Sequence, residues 1–419
     1  MRQVRSRTLY GFYLTMQENQ IKLGLRENLP QFLLLVLVNA YVGGMVGMER
    51  SIMPLFASTV FHIQAKTAVL SFITVFGISK AVSNYFSGKL AGEIGRKNVL
   101  VLGWILALPI PFLMIHATSW TWVVWTNVLL GIHQGLAWSS TVVMKIDLVG
   151  EKQRGFAMGL NEFAGYLSVA VIAMLTAFIA QHFGVSPFPF YVGIVLAILG
   201  LITTIFFVKD TTQHTKKESE NSIIPRLLNI FSETSWKHPV LGSVSQAGLV
   251  NNLNDGMVWG LLPVILAQQG FQLKSIGIIA AIYPAFWGVG QLITGKLADL
   301  YSKKSLLFWG MFLQGLTLLF MPVTSHLIIW VILSAILGIG TALVYPTFLA
   351  TIAQFTHPAD RANALGIFRF WRDLGYAFGA VITGFIADKF GVNISIYAIA
   401  LITLLSAFMI QIRFKENGK

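Results

Sequence analysis

Eight charged residues lie within long apolar stretches of this sequence, where a charge is costly unless a partner or water compensates it. Four are acids and four are bases, and this balance suggests that they form pairs. Because ionisable side chains inside a membrane-spanning segment usually face a cavity or a partner, we expect them to mark the route of a polar solute. The eight residues are Glu49, Arg50, Lys80, Glu162, Asp255, Arg369, Arg372 and Asp373.

The spacing of three of these residues places them near one face of a helix. Arg369 and Arg372 are three residues apart, and Arg369 and Asp373 are four apart. Asp373 can neutralise one arginine and leave the other for a carboxylate or phosphate, or for Glu162. The alternative is that each charge is compensated locally.

The other interior charges have alternatives of their own. Glu49 and Arg50 are adjacent, so they point about 100° apart on a helix and need different partners, or both touch water near the outer end of a long span. Lys80 either faces the interior or extends to the membrane interface. Asp255 follows Asn252 in a polar run that either lines the solute route or holds helices together by hydrogen bonds.

Three uncharged candidates complete the predicted site, namely Asn39, His133 and Asn252. A lone histidine in an apolar helix is more often a packing residue than a proton carrier, and both interpretations stay open here. The chain has no cysteine, and its histidines lack the spacing of metal ligands, so we expect neither a metal site nor a cofactor.

The composition indicates an all-α membrane protein. Of the 419 residues 55% are hydrophobic and 11% charged, and the mean hydropathy is +0.70, whereas soluble domains carry about 25% charged residues. The apolar runs are too long for barrel strands and predict helices. The twelve predicted spans are 30–58, 67–91, 98–115, 120–146, 155–180, 188–208, 239–266, 275–298, 304–321, 327–353, 363–386 and 393–412.

The distribution of lysine and arginine predicts the orientation. One set of connections holds twenty-three of them, Lys145 and Arg96 included, and the opposite set holds only Lys66, Lys274 and Lys389. By the positive-inside rule both termini and the central loop are cytoplasmic. Because the net charge of +13 is dispersed over these short loops, we expect no nucleic-acid partner.

The chain divides about a long polar segment near its middle, which we interpret as a linker with a short interfacial helix around Ile223–Phe231. Six spans lie on each side of it. The predicted organisation is an N-terminal arm at 1–29, a six-helix half at 30–208, the linker at 209–238, a second half at 239–414 and a tail at 415–419.

The two halves repeat sequence motifs. The run Gly-Lys-Leu-Ala follows the second span at Gly88 and the eighth span at Gly295, and Arg-x-x-Ala-x-Gly opens spans five and eleven at Arg154 and Arg361. Internal repeats of six spans are common in carriers. Counting eight residues from each arginine makes Glu162 and Arg369 repeat-equivalent, with opposite sign, although the equivalence does not require that they touch.

Residues 88–97 resemble the Gly-x-Leu-Ala-Asp-Arg-x-Gly-Arg-Lys signature of the major facilitator superfamily, and the second copy stands at 295–304. The resemblance covers essentially the whole chain and implies twelve transmembrane helices in two pseudo-symmetric halves. It also implies that the signature latches one conformation. Gly92 stands where the family has aspartate, with Glu93 next to it. The predicted gating residues are Gly88, Glu93, Gly95, Arg96, Gly295, Asp299 and Lys303.

Subfamily signatures are incomplete. Gly131 replaces the arginine that proton-coupled drug exporters carry before Gln134-Gly135. Arg50 and Lys80 resemble two positions of the organophosphate:phosphate antiporters, but the matching arginine of span seven is missing.

We therefore predict a secondary transporter of a small polar or anionic solute that works by alternating access. Proton coupling, which would use buried carboxyls, is one option. The alternatives are an organophosphate or organic-anion exchanger, a drug or metabolite efflux permease, and a non-transporting membrane sensor of the same fold. Because the chain has no zinc-protease, nucleophile-elbow or phosphate-loop motif, we expect it not to be an enzyme. We expect a monomer in the bacterial inner membrane.

Overall fold

The computed structural model describes residues 21–50, 52–63, 66–220, 222–271 and 273–415, and within these ranges every regular element is a helix. The helices are α1 (Leu29–Arg50), α2 (Met53–Val60), α3 (Lys66–Glu93), α4 (Arg96–Ala107), α5 (Pro109–Ile115), α6 (Trp120–Val149), α7 (Arg154–Phe183), α8 (Phe188–Phe206), α9 (Thr212–Glu220), α10 (Pro239–Gln268), α11 (Leu273–Leu300), α12 (Lys303–Phe320), α13 (Leu327–Phe355), α14 (Pro358–Phe390) and α15 (Val392–Arg413).

Helical segments occupy each of the twelve predicted spans. Two spans are divided, since α1 gives way to α2 and α4 to α5. At the second break Pro109 lacks the backbone N–H that would continue the hydrogen-bond pattern of α4. The boundaries of the arm, the halves, the linker and the tail stay a prediction.

Eight of the described helical segments are long and apolar enough to cross a membrane, namely α1, α4–α5, α7, α8, α11, α12, α13 and α15. The other four long helices, α3, α6, α10 and α14, have 28 to 33 residues and carry more polar side chains. Many of these polar residues are buried. The more polar helices therefore contribute polar side chains to the interior of the bundle, while α3 and α14 also expose apolar side chains such as Phe86 and Phe385.

Glycines bring the two halves into close contact. A Cβ atom added to Gly88 on α3 would lie 2.4 Å from the backbone oxygen of Ala362 on α14. A Cβ atom added to Gly295 on α11 would lie 2.6 Å from the backbone oxygen of Gly155 on α7. Since Gly88 and Gly295 are repeat-related, the same packing occurs twice between the halves, and only glycine permits it.

The segment between α8 and α10 contains the helix α9, and we call the end of the bundle where α9 lies the α9 end. The predicted short helix around Ile223–Phe231 is wrong for most of its length, because only Ile230–Ser232 is helical there. Pro225 interrupts the segment and disfavours helical geometry in the residue before it. A π-helical turn at Glu233–Lys237 then leads into α10.

Candidate functional site

Two charged residues of α14, Arg369 and Asp373, meet partners from the other half of the molecule. The guanidinium Nη2 of Arg369 lies 3.5 Å from Oε1 of Glu162 on α7. The amine of Lys80 on α3 lies 3.7 Å from Oδ2 of Asp373. Asp373 Oδ1 also accepts a hydrogen bond of 2.7 Å from Nε of its neighbour Arg372. Charges of opposite sign thus connect the two halves in the interior.

Uncharged side chains join these two ion pairs. Asn84 donates to Oδ2 of Asp373 at 2.6 Å and accepts from the hydroxyl of Ser139 at 2.6 Å. The same hydroxyl lies 3.3 Å from Nη1 of Arg369. On the α10 side, Asn252 donates to Oδ1 of Asp373 at 3.3 Å. One hydrogen-bonded path therefore runs from α7 through α14 to α3 and α10.

Glu162 accepts from several donors through one oxygen. The indole of Trp138 donates to Oε1 at 3.1 Å, and Asn161 donates to it at 2.7 Å. The oxygen of the Asn161 side chain accepts in turn from the amine of Lys145. The second oxygen, Oε2, is buried and has no hydrogen-bond partner. We call the ionisable members of this assembly the central charge network, namely Lys80, Lys145, Glu162, Arg369, Arg372 and Asp373.

Lys145 is a site residue that the sequence interpretation missed. The sequence interpretation counts it with the cytoplasmic connections because it stands one residue before the predicted end of the fourth span at 146, but α6 continues to Val149 and the side chain is 0% exposed. The available signal was its position seven residues after Trp138, two helical turns along the same face. The assignment of Lys145 to a loop is therefore wrong.

Aromatic rings form a wall beside the network. The guanidinium of Arg372 lies 5.2 Å from the ring centre of Tyr345. The Tyr345 hydroxyl lies 3.1 Å from that of Tyr166, whose ring is 4.2 Å from Trp287 and 5.5 Å from Trp138. Because these rings come from α6, α7, α11 and α13, both halves contribute to one continuous aromatic surface.

The remaining predicted candidates lie in three different surroundings. Asn39 donates to the backbone oxygen of Asn161 and thereby adjoins the network. Asp255 accepts from the hydroxyl of Tyr283 and, at 3.4 Å, from that of Tyr376. His133 contacts the backbone oxygen of Gly103 at 2.9 Å and packs against an indole ring outside the network.

Glu49 lies apart from the network near the C-terminal end of α1. Its side chain is buried, and neither carboxylate oxygen has a hydrogen-bond partner. The side chain of Arg50 lies outside the described residues. The structure therefore places Glu49 as a buried carboxyl outside the central charge network.

The two copies of the family signature have different surroundings. In the second copy, Asp299 accepts from the backbone N–H groups of Gly155 and Phe156 at 2.7 and 2.9 Å, which caps the N-terminus of α7. In the first copy, a Cβ atom on Gly92 would meet nothing within 4 Å, and Glu93 is exposed. A carboxylate capping interaction thus exists in one copy only.

Other predicted gating residues lie at the α9 end. Gly95 adopts a φ of +87° and is the N-cap of α4. Arg96 is buried and lies 3.2 Å from Oδ2 of Asp147 on α6; its expected position at the water-facing surface is therefore wrong. Its Nη2 also donates to Thr215 of α9 at 3.2 Å. Lys303 begins α12.

Arg154 and Arg361, which open α7 and α14, both bind Glu218 of α9. Arg361 donates to the two carboxylate oxygens at 2.8 and 2.7 Å, and Arg154 donates to Oε1. Burial alone would raise the pKa of Glu218, but these two guanidinium groups hold it below its usual value. We call these three residues the linker clamp. The sequence carried no signal for Glu218, which lies in a polar run.

No group of three or more His, Asp or Glu side chains in the described ranges is arranged to hold a metal ion. The arrangement offers charge, hydrogen bonds and aromatic faces, which suit binding of a polar solute rather than bond-breaking chemistry.

Two stretches of the chain, residues 33–246 and 244–418, match the family model of the Major Facilitator Superfamily. The chain belongs to this superfamily. Both the resemblance drawn from the signature motifs and the all-helical fold expected from it are confirmed. As a member of this superfamily, the protein is a membrane transporter by family, and several of its relatives are bacterial.

One curated relative is the proton-coupled antiporter flippase LtaA of Staphylococcus haemolyticus, which is 27% identical over 366 residues, covering 83% of this chain and 85% of the relative. Among solved structures, the human organic anion transporter MFSD10 superposes with a TM-score of 0.74 at 14% identity, covering 91% of this chain and 99% of the other. The proton:xylose symporter XylE superposes with a TM-score of 0.68 at 14% identity, covering 91% and 95%. At this identity the two structures show the fold alone.

Proposed function

We propose that this protein is a secondary transporter that carries a small polar or anionic solute by alternating access. The observation that supports this most is the central charge network. Ion pairs from Arg369 to Glu162 and from Asp373 to Lys80 cross from one half to the other in the buried interior. A buried charge is costly without a partner. These groups therefore favour a polar or charged solute that can replace an ion-pair partner when it binds.

The glycine contacts at the α9 end support the alternation between two states. The Gly88 and Gly295 packings and the linker clamp hold the halves together at one end of the central site. Because none of these contacts involves a covalent link, the same end can separate when the halves rock about the site. The structure, which is closed at the α9 end, is then one of two states, and solute binding shifts the equilibrium between them.

Proton coupling is part of the proposal. The curated relative named above is described as a proton-coupled antiporter flippase. Glu49 offers a carboxyl whose two oxygens are buried without hydrogen bonds. An ionised carboxylate in such buried surroundings loses much of its hydration, and binding a proton removes that cost. Glu49 is therefore our candidate proton carrier, with Glu162 as the acid that contacts the solute site.

The test is reconstitution of the purified protein into liposomes. We expect labelled solutes from a metabolite panel to accumulate when a proton gradient is imposed, and Glu49→Gln to abolish the effect of the gradient. Glu220→Gln is the matched control, because Glu220 is exposed and lies outside both the charge network and the gating motif. A panel member that binds the protein but never crosses the membrane would favour the sensor over the transporter.

A second candidate is translocation of an amphipathic molecule, which is favoured by the similarity to flippase relatives over most of both chains. The aromatic wall of Trp138, Tyr166, Trp287 and Tyr345 beside the charges fits a substrate with both polar and apolar parts. The same liposomes test it: a fluorescent glycolipid in the inner leaflet would become accessible to an external quencher faster with protein than without.

A further inference from the structure

The central charge network has more cations than carboxylates. Four bases, Lys80, Lys145, Arg369 and Arg372, face two acids, Glu162 and Asp373. Asp255 is a third acid in the neighbourhood, but its oxygens accept from the hydroxyls of Tyr283 and Tyr376. Even with Asp255 counted, basic side chains outnumber acidic ones in the central charge network by four to three. A site of this sign in a low-dielectric interior favours an anion.

The partners of Asp373 identify the cations that are already satisfied. Its Oδ1 is 2.7 Å from Arg372, and its Oδ2 is 3.7 Å from Lys80 and 2.6 Å from the amide of Asn84. Both oxygens are therefore occupied. Arg372 in addition lies over the ring of Tyr345 at 5.2 Å. Arg372 and Lys80 therefore already have a carboxylate partner, and they do not need a ligand to compensate their charge.

Arg369 and Lys145 are less well satisfied. The contact between Arg369 and Glu162 is long, at 3.5 Å, and Nε of Arg369 is buried without a hydrogen-bond partner. Lys145 is fully buried and donates to the amide oxygen of Asn161, and in the part of the chain that the structure describes it makes no ion pair. A neutral amide does not compensate a buried ammonium group.

The two bases flank one pair of residues. Asn161 binds Lys145 through its oxygen and Glu162 through its nitrogen, and Glu162 in turn contacts Arg369. A ligand between α6, α7 and α14 can therefore reach both cations. Because the guanidinium group presents a planar fork of donors, it suits a two-oxygen group such as a carboxylate or phosphate.

We propose that Lys145 and Arg369 bind the anionic group of the solute, a carboxylate or a phosphate. This inference rests on the proposed transport function and narrows its solute to an anion. Glu162, whose second oxygen has no partner, is displaced from Arg369 when the anion binds. The pairing of Arg369 with Glu162 is then the arrangement of the empty site.

Thermal unfolding of the purified full chain tests the proposal, because a ligand of the native state raises the unfolding temperature. The probes are inorganic phosphate, glycerol phosphate, succinate, glucose and choline at matched ionic strength. We expect an anionic probe to raise the temperature, and Lys145→Met to weaken its apparent affinity about tenfold or more, as loss of one charge-assisted hydrogen bond implies. Phosphate and succinate separate the two kinds of anion.

Lys152→Met is the matched control, since Lys152 is the same residue type in an exposed loop, and it should bind the anion as the parent does. Lys145→Gln keeps a hydrogen-bond donor toward Asn161 without the charge, so a similar loss in this folded variant assigns the effect to charge. Stabilisation by glucose or choline but by no anion, or equal anion binding in Lys145→Met and the parent, would overturn the inference.

Flux measurements separate this inference from the proposed function. If anion binding depends on Lys145 but the anion never crosses the membrane of reconstituted liposomes, the transport proposal is contradicted and the anion site is supported. If the protein transports a neutral solute into the liposomes and no anion binds, the anion site is contradicted and the transport proposal is supported.

Discussion

Arg154 and Arg361, which lie in the first turns of repeat-related helices in opposite halves, donate hydrogen bonds to one carboxylate, that of Glu218. Glu218 belongs to the helix α9 between the halves, and α9 is itself held to the N-terminal half where Thr215 accepts from Arg96. Three charged side chains thus close the α9 end by joining the linker to both halves.

Neutralising this carboxylate should open the α9 end. Glu218→Gln removes the charge that holds two buried arginines, and each lost charge-assisted hydrogen bond costs about 1.5–3 kcal/mol. We expect the population that is open at this end to rise about tenfold or more. Because the chain has no cysteine, spin labels on cysteines introduced at Lys152 and Lys296 report the distance between the halves.

The control for this experiment is Glu220→Gln, an exposed glutamate on the same helix. It should leave the distance distribution unchanged. Identical distributions in Glu218→Gln and the parent would show that the clamp does not hold the closed state.

The same clamp predicts a dependence on pH. Arg361 and Arg154 lower the pKa of Glu218 from its ordinary value of 4.5. The stabilisation of the closed α9 end by ionised Glu218 is therefore fully present above pH 4.5, and it is lost as the pH falls through the lowered pKa. We expect the closed α9 end to persist down to about pH 4.5 and to weaken below it. Spin-label distances measured against pH should show this acid transition in the parent and lack it in Glu218→Gln.

The pairing of Glu162 with Arg369 predicts a specific mutational pattern. Neutralising one member of a buried pair leaves an uncompensated charge and costs about 3–5 kcal/mol. In the empty protein, Glu162→Gln should therefore be destabilising and the double variant with Arg369→Gln should recover part of the loss. Asp373→Asn should be worse than either single variant, because Asp373 serves both Arg372 and Lys80. Unfolding curves of the four variants give the coupling free energy, and strictly additive losses would argue against a direct pair.

Close packing between α3 and α14 predicts that a larger side chain is not tolerated at Gly88 but is tolerated at Gly92, four residues further along α3. A methyl group on Gly88 would meet the backbone oxygen of Ala362 at 2.4 Å, whereas one on Gly92 meets nothing within 4 Å. Gly88→Ala should separate the helices and lower transport severalfold, while Gly92→Ala should behave as the parent. Initial uptake rates in liposomes distinguish the two, and normal uptake by Gly88→Ala would contradict the closed packing.

The orientation in the membrane is a prediction from charge that can be tested with single cysteines. Positions Lys216 and Lys419 should react with an impermeant thiol reagent only from the cytoplasmic side, and positions Lys66 and Lys274 only from outside. Labelling of Lys216 and Lys274 from the same side would show that the number of spans between them is wrong.

The sequence by itself determined the class of the protein and the approximate place of its helices. Apolar runs of about twenty residues are specified by the thickness of the membrane, so their positions could be read without knowing the packing. The repeated signature at Gly88 and Gly295 and the repeated arginines at Arg154 and Arg361 likewise predicted the superfamily, because these motifs are local in the chain.

Only the tertiary structure decided which charges meet. Lys145 and Arg96 read as loop cations, yet both are buried, because their surroundings depend on helices distant in sequence. Glu218, in a polar run, binds two arginines that are 64 and 143 residues away. The partner of a buried charge depends on how helices rotate and cross, and that arrangement results from packing along the whole bundle rather than from any local pattern.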